Sequence, residues 1–421
     1  MQTKSSPSFD ALVEETSQTF RVDPRIYDDP AVFDAEMERI FERNWVYVGH
    51  ESEVPHAGSH FTATMGRQPI IVSRGTDGNI RVLLNVCRHR GNILCREESG
   101  SAKAFICRYH GWVYTNEGRL QTIPDIEAYP TSFQAEKASL GLLQARVTTY
   151  RGLIFASLRH DVPSLDEHLG ELKAFIDLWA DMAPAGTLRT SEPHSYSYSG
   201  NWKFQVENGV DSYHPMFVHQ SAFSAFRRSG VQKYQQQRRP NITGSVTLGF
   251  ENGHCGLERP GLDTLFTEEQ FDGYLQALTA RHGAARATRI ATVRAIHIFP
   301  NVTLMDANIR VIQPLSVNAT NVHSYFISYD GVADDVNLVR LRDYQSRLGT
   351  AGLVGTDDID IFTGNQSGIA ARALDRLIFD RGIDREVVLP GGVRRGVSMD
   401  ETPQRAIYRG WLRAMNNASD D

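Results

Sequence analysis

Cysteine is scarce: Cys87, Cys95, Cys107 and Cys255 are the only four in 421 residues. That excludes a disulfide framework and gives no sign of export, so a reducing, cytoplasmic location is expected. No run approaches the roughly 18 uninterrupted apolar residues of a membrane helix. The opening MQTKSSPSFDALVEETSQTF lacks a basic start followed by an apolar stretch, so no secretory signal is expected. Basic charge is not in excess either. A formal net charge of −6 argues against nucleic acid as a partner. The sequence also lacks a Gly-rich phosphate loop of the P-loop or dinucleotide kind, so the chain itself is not expected to bind a nucleotide. What is present, 41 % hydrophobic and 22 % charged residues, is the composition of a globular enzyme.

The length exceeds one ordinary core, and the texture changes along the chain. Residues 31–44 (AVFDAEMERIFERN) have helical spacing, with Phe33, Met37, Ile40 and Phe41 on one face. From Trp45 to Phe155, β-prone runs (PIIVSR, IRVLLNV, AFICRYHGWVY, GLIFASL) alternate with turn sequences such as TDGN and NEGR, which predicts a small antiparallel β domain. Residues 158–170 read as a linker, and helical spacing returns in ELKAFIDLWADM. Strand texture covers 188–206 and 292–330, and helical texture 333–347 and 401–415. Strands and helices in runs, without strict β-α-β alternation, predict an α+β fold with an antiparallel sheet.

Two constellations carry chemistry. In the first, Cys87-Arg88-His89 is followed by Cys107-Arg108-Tyr109-His110, and each group follows a β-prone run, so each can occupy the loop at a strand end. A [2Fe-2S] centre with two thiolates on one iron and two imidazoles on the other needs that set. Zinc can also be held by two Cys and two His, but zinc fingers pair Cys with Cys and His with His, whereas each loop here offers one of each. Gly91 and Gly111 permit the tight turns that bring amides toward cluster sulfurs. Cys95 does not fit the ligand pattern and is expected to be a small buried apolar residue; Cys255 is assigned nothing.

In the second, NWKFQVENGVDSYHPMFVHQ crowds Glu207, Asn208, Asp211, His214 and His219 together. Histidines five apart subtend about 140° on a regular helix and do not share a face. Pro215 also disfavours helical geometry at His214, and the two imidazoles converge only if the backbone is distorted near His214, as at a helix start. Two His and one carboxylate with open positions is the arrangement of non-haem Fe(II) oxygenases. The third ligand must come from elsewhere, and GTDDIDIF, with Asp357, Asp358 and Asp360, is the best source. Phe204, Phe217 and Phe223 are pocket-wall candidates that serve equally well as core.

Residues 45–160 resemble the Rieske domain of ring-hydroxylating oxygenases, and the pattern NWK…EN…D-x-Y-H-x₄-H resembles the catalytic motif of their α (large) subunits, most of all the benzoate, salicylate and terephthalate oxygenase group. The resemblance extends to the closing DETPQRAIYRGWLRAM. It implies an antiparallel-β Rieske [2Fe-2S] domain (45–160) inserted in a catalytic domain (161–421, with 1–44 as its N-terminal helical part) that has a large antiparallel sheet and flanking helices. It implies Cys87, His89, Cys107 and His110 as cluster ligands, and His214, His219 and Asp358 as ligands of a mononuclear Fe(II). The family often shows Asp-Asp-x-Glu where Asp357, Asp358 and Asp360 stand here, which leaves Asp357 as a rival to Asp358. Asp211 matches the acid that links a catalytic His to a cluster His of a neighbouring subunit, and Asn208 corresponds approximately to a residue supporting the ligands. The implied reaction is O₂-dependent hydroxylation of a small aromatic substrate. Electrons would come from a ferredoxin or reductase, with NAD(P)H used only by that reductase, and the assembly would be a homotrimer or an α3β3 complex with a small β subunit. A Rieske monooxygenase acting by demethylation or side-chain hydroxylation, a cluster-only electron carrier and a zinc hydrolase remain as alternatives.

Two charged features bear on partner and substrate. Residues 87–110 carry Arg88, Arg90, Arg96, Lys103 and Arg108 against Glu97 and Glu98, a local basic excess that could steer an acidic ferredoxin or brace a neighbouring subunit. Arg310 interrupts an apolar strand candidate on the face opposite Ile309 and Val311. It either holds a substrate carboxylate in a two-point fork or lies on a solvated face or subunit contact.

Overall fold

The alternating β-branched and aromatic side chains of the N-terminal third form antiparallel strands in the computed structural model, which describes residues 9–228, 244–260, 262–349, 351–371 and 373–417. Two compact units are present, one made of the chain up to Glu36 and from Asp166 onward, the other of Met37–Leu165. Among the described residues no helix is long and apolar enough to cross a membrane.

In the smaller unit a seven-stranded sheet runs in the order Val46–His50, Leu153–Ser157, Gln144–Tyr150, Ile80–Leu84, Gln68–Arg74, Ser59–Met65, Ser99–Ser101. A three-stranded sheet of Leu120–Thr122, Val113–Thr115 and Ala104–Ile106 lies within the same unit. The unit starts at Met37, earlier than the expected Trp45. The helix expected over 31–44 splits into Pro30–Glu36 and a π-helical turn, Met37–Glu42. Glu42 accepts hydrogen bonds from Gln68 Nε2 and from the Leu158 amide, each at 3.2 Å, which ties that turn to the sheet. The expected linker is helical over Leu165–Leu169 because Leu165 and Leu169 are buried on one face.

The larger unit is built on a ten-stranded antiparallel sheet. Its strands are β1 (Leu188–Thr190), β2 (His194–Tyr198), β3 (Val246–Gly249), β4 (Cys255–Arg259), β5 (Val293–Ile298), β6 (Val302–Met305), β7 (Asn308–Ser316), β8 (Ala319–Tyr329), β9 (Val387–Val388) and β10 (Arg394–Val397). They run β1-β8-β7-β6-β5-β4-β3-β10-β9, and β2 also pairs with β8. The helices that matter for the site are α1 (Trp202–Gly209), α2 (Pro215–Val218), α3 (Asp334–Leu348), α4 (Gly355–Ile369) and α5 (Thr402–Asn416). Helix α1 lies against β5 and β7, and α4 against β2.

Strand texture was expected to continue through 206, but Trp202–Val206 is the body of α1. Trp202, Phe204 and Val206 alternate with polar residues as in a strand, yet Lys203 and Gln205 are buried too, at 0 % and 1 % exposure. Asn201 caps the helix: its side chain accepts from the Lys203 amide and donates to the carbonyls of Tyr27 (3.1 Å) and Val317 (2.9 Å). Lys203 Nζ lies 2.6 Å from Glu36 Oε1, both side chains fully buried, and the indoles of Trp202 (2.8 Å) and Trp411 (2.7 Å) donate to the same carboxylate. The charge that looks like a solvent face in the sequence is therefore an internal strut. Breaking one side of a buried pair leaves an uncompensated charge, so Lys203→Met should destabilise the protein by about 3–5 kcal/mol. A lowered urea midpoint would show it, and adding Glu36→Gln to Lys203→Met should recover part of the loss.

Candidate functional site

The two Cys/His loops of the smaller unit have the same backbone. The Cys87 amide donates to the Asn92 carbonyl (2.9 Å) and the Gly91 amide to the Cys87 carbonyl (3.0 Å). In the second loop Cys107 donates to Trp112 (2.8 Å) and Gly111 to Cys107 (2.9 Å). Gly91 and Gly111 have φ of 70° and 72°, a conformation that glycine adopts without strain. Both thiols are buried at 2 % exposure, and the imidazole centroids of His89 and His110 lie 4.5 Å apart. His89 Nδ1 and His110 Nδ1 are buried and have no hydrogen-bond partner. Burial raises both thiols, but the amides of Tyr109 and His110 outweigh it at Cys107 and bring that thiol below its ordinary value. Two converging thiols, two orphaned ring nitrogens and amides turned toward sulfur fit a mixed-ligand [2Fe-2S] cluster. Cys95 lies in the apolar core beside the loops, and Cys255 is fully buried.

In the larger unit α1 ends at Val210, and a short irregular stretch leads to α2, for which His214 is the N-cap and His219 the C-cap. The expected distortion near His214 is found as a helix start, but the expected departure from helical geometry at His214 itself is not. His214 has φ −60°, ψ −35°, within the helical region, despite the following proline. The amides of Phe217 (2.9 Å) and Val218 (3.0 Å) on its carbonyl hold that turn. One turn with a histidine at each end brings the imidazole centroids to 5.3 Å. Asp358, in the first turn of α4, completes the set: one ligand atom from each of His214, His219 and Asp358 falls within 4.8 Å of the others. Asp358 Oδ1 is 3.6 Å from His214 Nε2 and 3.3 Å from His219 Nε2.

The neighbouring carboxylates face the other ring nitrogens. Asp211 Oδ2 is 3.0 Å from His214 Nδ1, and Asp357 Oδ2 is 3.3 Å from His219 Nδ1. Carboxylates so placed fix ring orientation and turn both Nε2 atoms to one point. Burial alone would depress His219, but Asp358 and Asp357 raise it above the ordinary histidine value, so the local field favours a cation. Asn208 Nδ2 is 3.1 Å from both His214 Nε2 and Asp358 Oδ1. Gln366 aligns the two helices by accepting from the Asn201 amide (2.8 Å) and donating to the Tyr27 carbonyl (3.3 Å). Two imidazoles and one carboxylate fit a ferrous ion with open positions.

The remaining candidates fall as follows. Asp360 is exposed. Phe204 stacks on Tyr27 at 4.8 Å and is core, Phe217 is 63 % exposed, and Phe223 meets the His219 ring edge-on at 6.1 Å. Arg310 is 4 % exposed on the face of β7 that α1 covers. There it stands in one row with Ser324 of β8 and His194 of β2. Its Nε has no partner, and no carboxylate pairs with it among the described residues. Sequence reasoning missed Asp357 as the support of His219, and Gln205 and Tyr196, which are joined at 2.8 Å. Gln205 could have been found from its spacing, one turn before Asn208.

Glu207 accepts from Tyr27 (2.7 Å) and Tyr408. Burial, reinforced by Asp211 and opposed by the two tyrosines and Lys203, pushes its carboxyl up to about 7. A carboxyl whose value is raised by folding binds its proton more tightly in the folded state. Stability should therefore fall as pH rises from the ordinary glutamate range to about 7, and level off above it. The amide introduced by Glu207→Gln does not titrate. Between pH 5 and 8 the variant should gain stability over the parent, on the order of 3 kcal/mol from that interval. Urea midpoints at the two pH values measure it.

Comparison with known proteins agrees with both centres. The Rieske [2Fe-2S] domain family matches residues 44–143, and the ring-hydroxylating α-subunit catalytic domain family matches 185–417. The α subunit of toluate 1,2-dioxygenase from Pseudomonas putida is 35 % identical over 87 % of this chain and 83 % of its own length. The large subunit of anthranilate 1,2-dioxygenase from Acinetobacter baylyi is 32 % identical over 84 % and 78 %. A crystal structure of naphthalene 1,2-dioxygenase from Rhodococcus sp. bound to indole superposes with a TM-score of 0.82 at 26 % identity, covering 95 % of each chain. Another, of naphthalene 1,2-dioxygenase with indole in its active site, gives 0.86 at 28 % identity over 97 % and 95 %. The chain belongs to the ring-hydroxylating oxygenase α-subunit family, with the Rieske match inside the smaller unit and the catalytic match inside the larger.

Proposed function

We propose that this oxygenase hydroxylates an aromatic carboxylate, and that Arg310 holds the carboxylate. The observation that carries the reading is an arginine 4 % exposed, whose Nε has no partner and which pairs with no carboxylate among the described residues, on the sheet face beneath the helix that bears Asn208. Burying an unpaired charge is costly, and a ligand carboxylate would meet it with a two-point fork. The named substrates of the relatives toluate, 2-halobenzoate and anthranilate dioxygenase are all benzoates. Arg310→Leu should raise KM for benzoates by about 100-fold while changing the kinetics of a neutral analogue little, because charge-assisted pairs contribute most where they are desolvated. Equal losses for acid and neutral substrates would remove Arg310 from the pocket. Product analysis under ¹⁸O₂ over the same acids fixes the position attacked and whether one or both oxygen atoms enter.

In this reading Cys87, His89, Cys107 and His110 hold the cluster, and His214, His219 and Asp358 hold the mononuclear iron. When bound there, the cluster would supply electrons singly and the iron would activate O₂. Asp211 and Asp357 keep the two imidazoles oriented, and Asn208 braces the space between His214 and Asp358. The Asp211 carboxylate is 25 % exposed, open enough for His110 of a neighbouring copy to reach it, which is the bridge expected of a trimer or an α3β3 complex. A ferredoxin or reductase serves as electron donor, approaching the cluster loops where Ile106 and Tyr109 are each 59 % exposed among Arg88, Arg90 and Arg108. Four buried free thiols suit the cytoplasm.

A further inference from the structure

Gln205 sits on α1 one turn before Asn208, at 1 % exposure. Its Oε1 accepts a hydrogen bond from the Tyr196 hydroxyl at 2.8 Å, and its Nε2 has no partner. The Tyr196 phenol, kept protonated by burial, donates to the amide oxygen, and the amide nitrogen is turned away from it. Tyr196 also lies within electrostatic reach of both Arg310 and Asp358. It shares the α1-covered face of the sheet with Arg310, because His194, two residues before it on β2, stands in the Arg310 row. A buried N–H donor without an acceptor is disfavoured unless something brought to the site accepts from it. The Arg310 fork engages both oxygens of one carboxylate, so the Gln205 donor calls for a second acceptor on the ligand.

We propose that the Gln205 amide N–H is a specificity determinant that reads an oxygen substituent on the substrate ring, so that hydroxybenzoates are preferred over benzoate and toluates. The acid half of this statement rests on the Arg310 reading; the oxygen-substituent half rests on Gln205 and Tyr196 alone. A site built to hydrogen-bond a substrate hydroxyl rejects the analogue lacking it far more strongly than an apolar pocket rejects a methyl group.

The test is calorimetric binding to the oxidised, unreduced holoenzyme, in which no turnover occurs, with benzoate, the isomeric hydroxybenzoates, the toluates, phenol and toluene. One hydroxybenzoate isomer should bind at least about 10-fold tighter than benzoate and than the matching toluate. Gln205→Leu should cut that ratio to about 2-fold or less, because the donor to the ligand hydroxyl is lost together with the acceptor for Tyr196. Tyr196→Phe, which frees the amide to rotate, should give an intermediate ratio and serves alone if Gln205→Leu does not fold. A hydroxyl preference that is absent from the parent protein, or that survives both substitutions, overturns the proposal. If acids bind no better than their neutral counterparts, the Arg310 reading fails. The phenol-to-toluene ratio, and its loss in Gln205→Leu, then still reports on Gln205.

Discussion

Asp358→Ala should lose the mononuclear iron, keep the visible absorption of the cluster, and lower turnover by about 10³-fold or more, a change of at least about 4 kcal/mol in the barrier. Asp357→Ala should behave differently although it removes the adjacent carboxylate. Asp358 is 7 % exposed and aims an oxygen at both Nε2 atoms, whereas Asp357 touches only His219 Nδ1. Losing such an orienting partner costs about 10- to 100-fold in metal affinity or activity. The Asp357 variant should therefore be restored by added ferrous ion and the Asp358 variant should not. Iron analysis beside steady-state rates separates the two, and the opposite ranking would place the ligand at Asp357.

Asp211→Ala should retain both metal centres and yet turn over about 100-fold more slowly or worse, a change of about 2.7 kcal/mol. Asp211 Oδ1 accepts from the Tyr213 amide (2.6 Å) and Oδ2 approaches His214 Nδ1 (3.0 Å), while part of the carboxylate remains open to solvent. Asp211→Asn is the control for local collapse, since its amide oxygen can still accept from the Tyr213 amide. The decisive measurement is a single turnover of pre-reduced enzyme with substrate, following reoxidation of the cluster optically. Slow reoxidation with a full iron complement supports the bridge. Reoxidation at the parent rate shows that electrons travel by another path, and an active monomer would contradict the assembly on which the bridge depends.

These contrasts show where the sequence was informative. The cluster loops were legible because Cys, His and Gly occupy a few positions whose chemistry is specific, and each loop is closed by local hydrogen bonds. The strands between 292 and 330 were legible because β-branched and aromatic residues are dense there. The roles of Asp357 and Asp358 were not separable, since adjacent residues differ only by the roughly 100° turn of a helix whose placement depends on Gln366 and the sheet. Helix α1 was hidden for a related reason. Its period-two pattern is that of a strand, and only the distant Glu36 explains how Lys203 can be buried. The helix Glu268–His282 could have been found from its Thr267/Gln270 capping box, which the structure shows in both directions. Alternation put Arg310 on the face opposite Ile309 and Val311, as the strand register has it, but what covers that face is a tertiary fact.

The repeated backbone of the two Cys/His loops bears on how the cluster is assembled. Each loop is closed by its own pair of amide–carbonyl bonds and a left-handed glycine, and neither closure requires a ligand side chain. The ordering entropy of the loops is therefore spent when the domain folds, and little remains to be lost when iron and sulfide arrive. The histidine falls two residues after Cys87 but three after Cys107, so identical loops present their imidazoles in different directions. His89 stacks flat on the buried Trp112, with centroids 4.9 Å apart, while His110 lies against the exposed Tyr109 at 3.7 Å. Matching loops thus set their two imidazoles in different surroundings, one against a buried indole and the other against an exposed phenol.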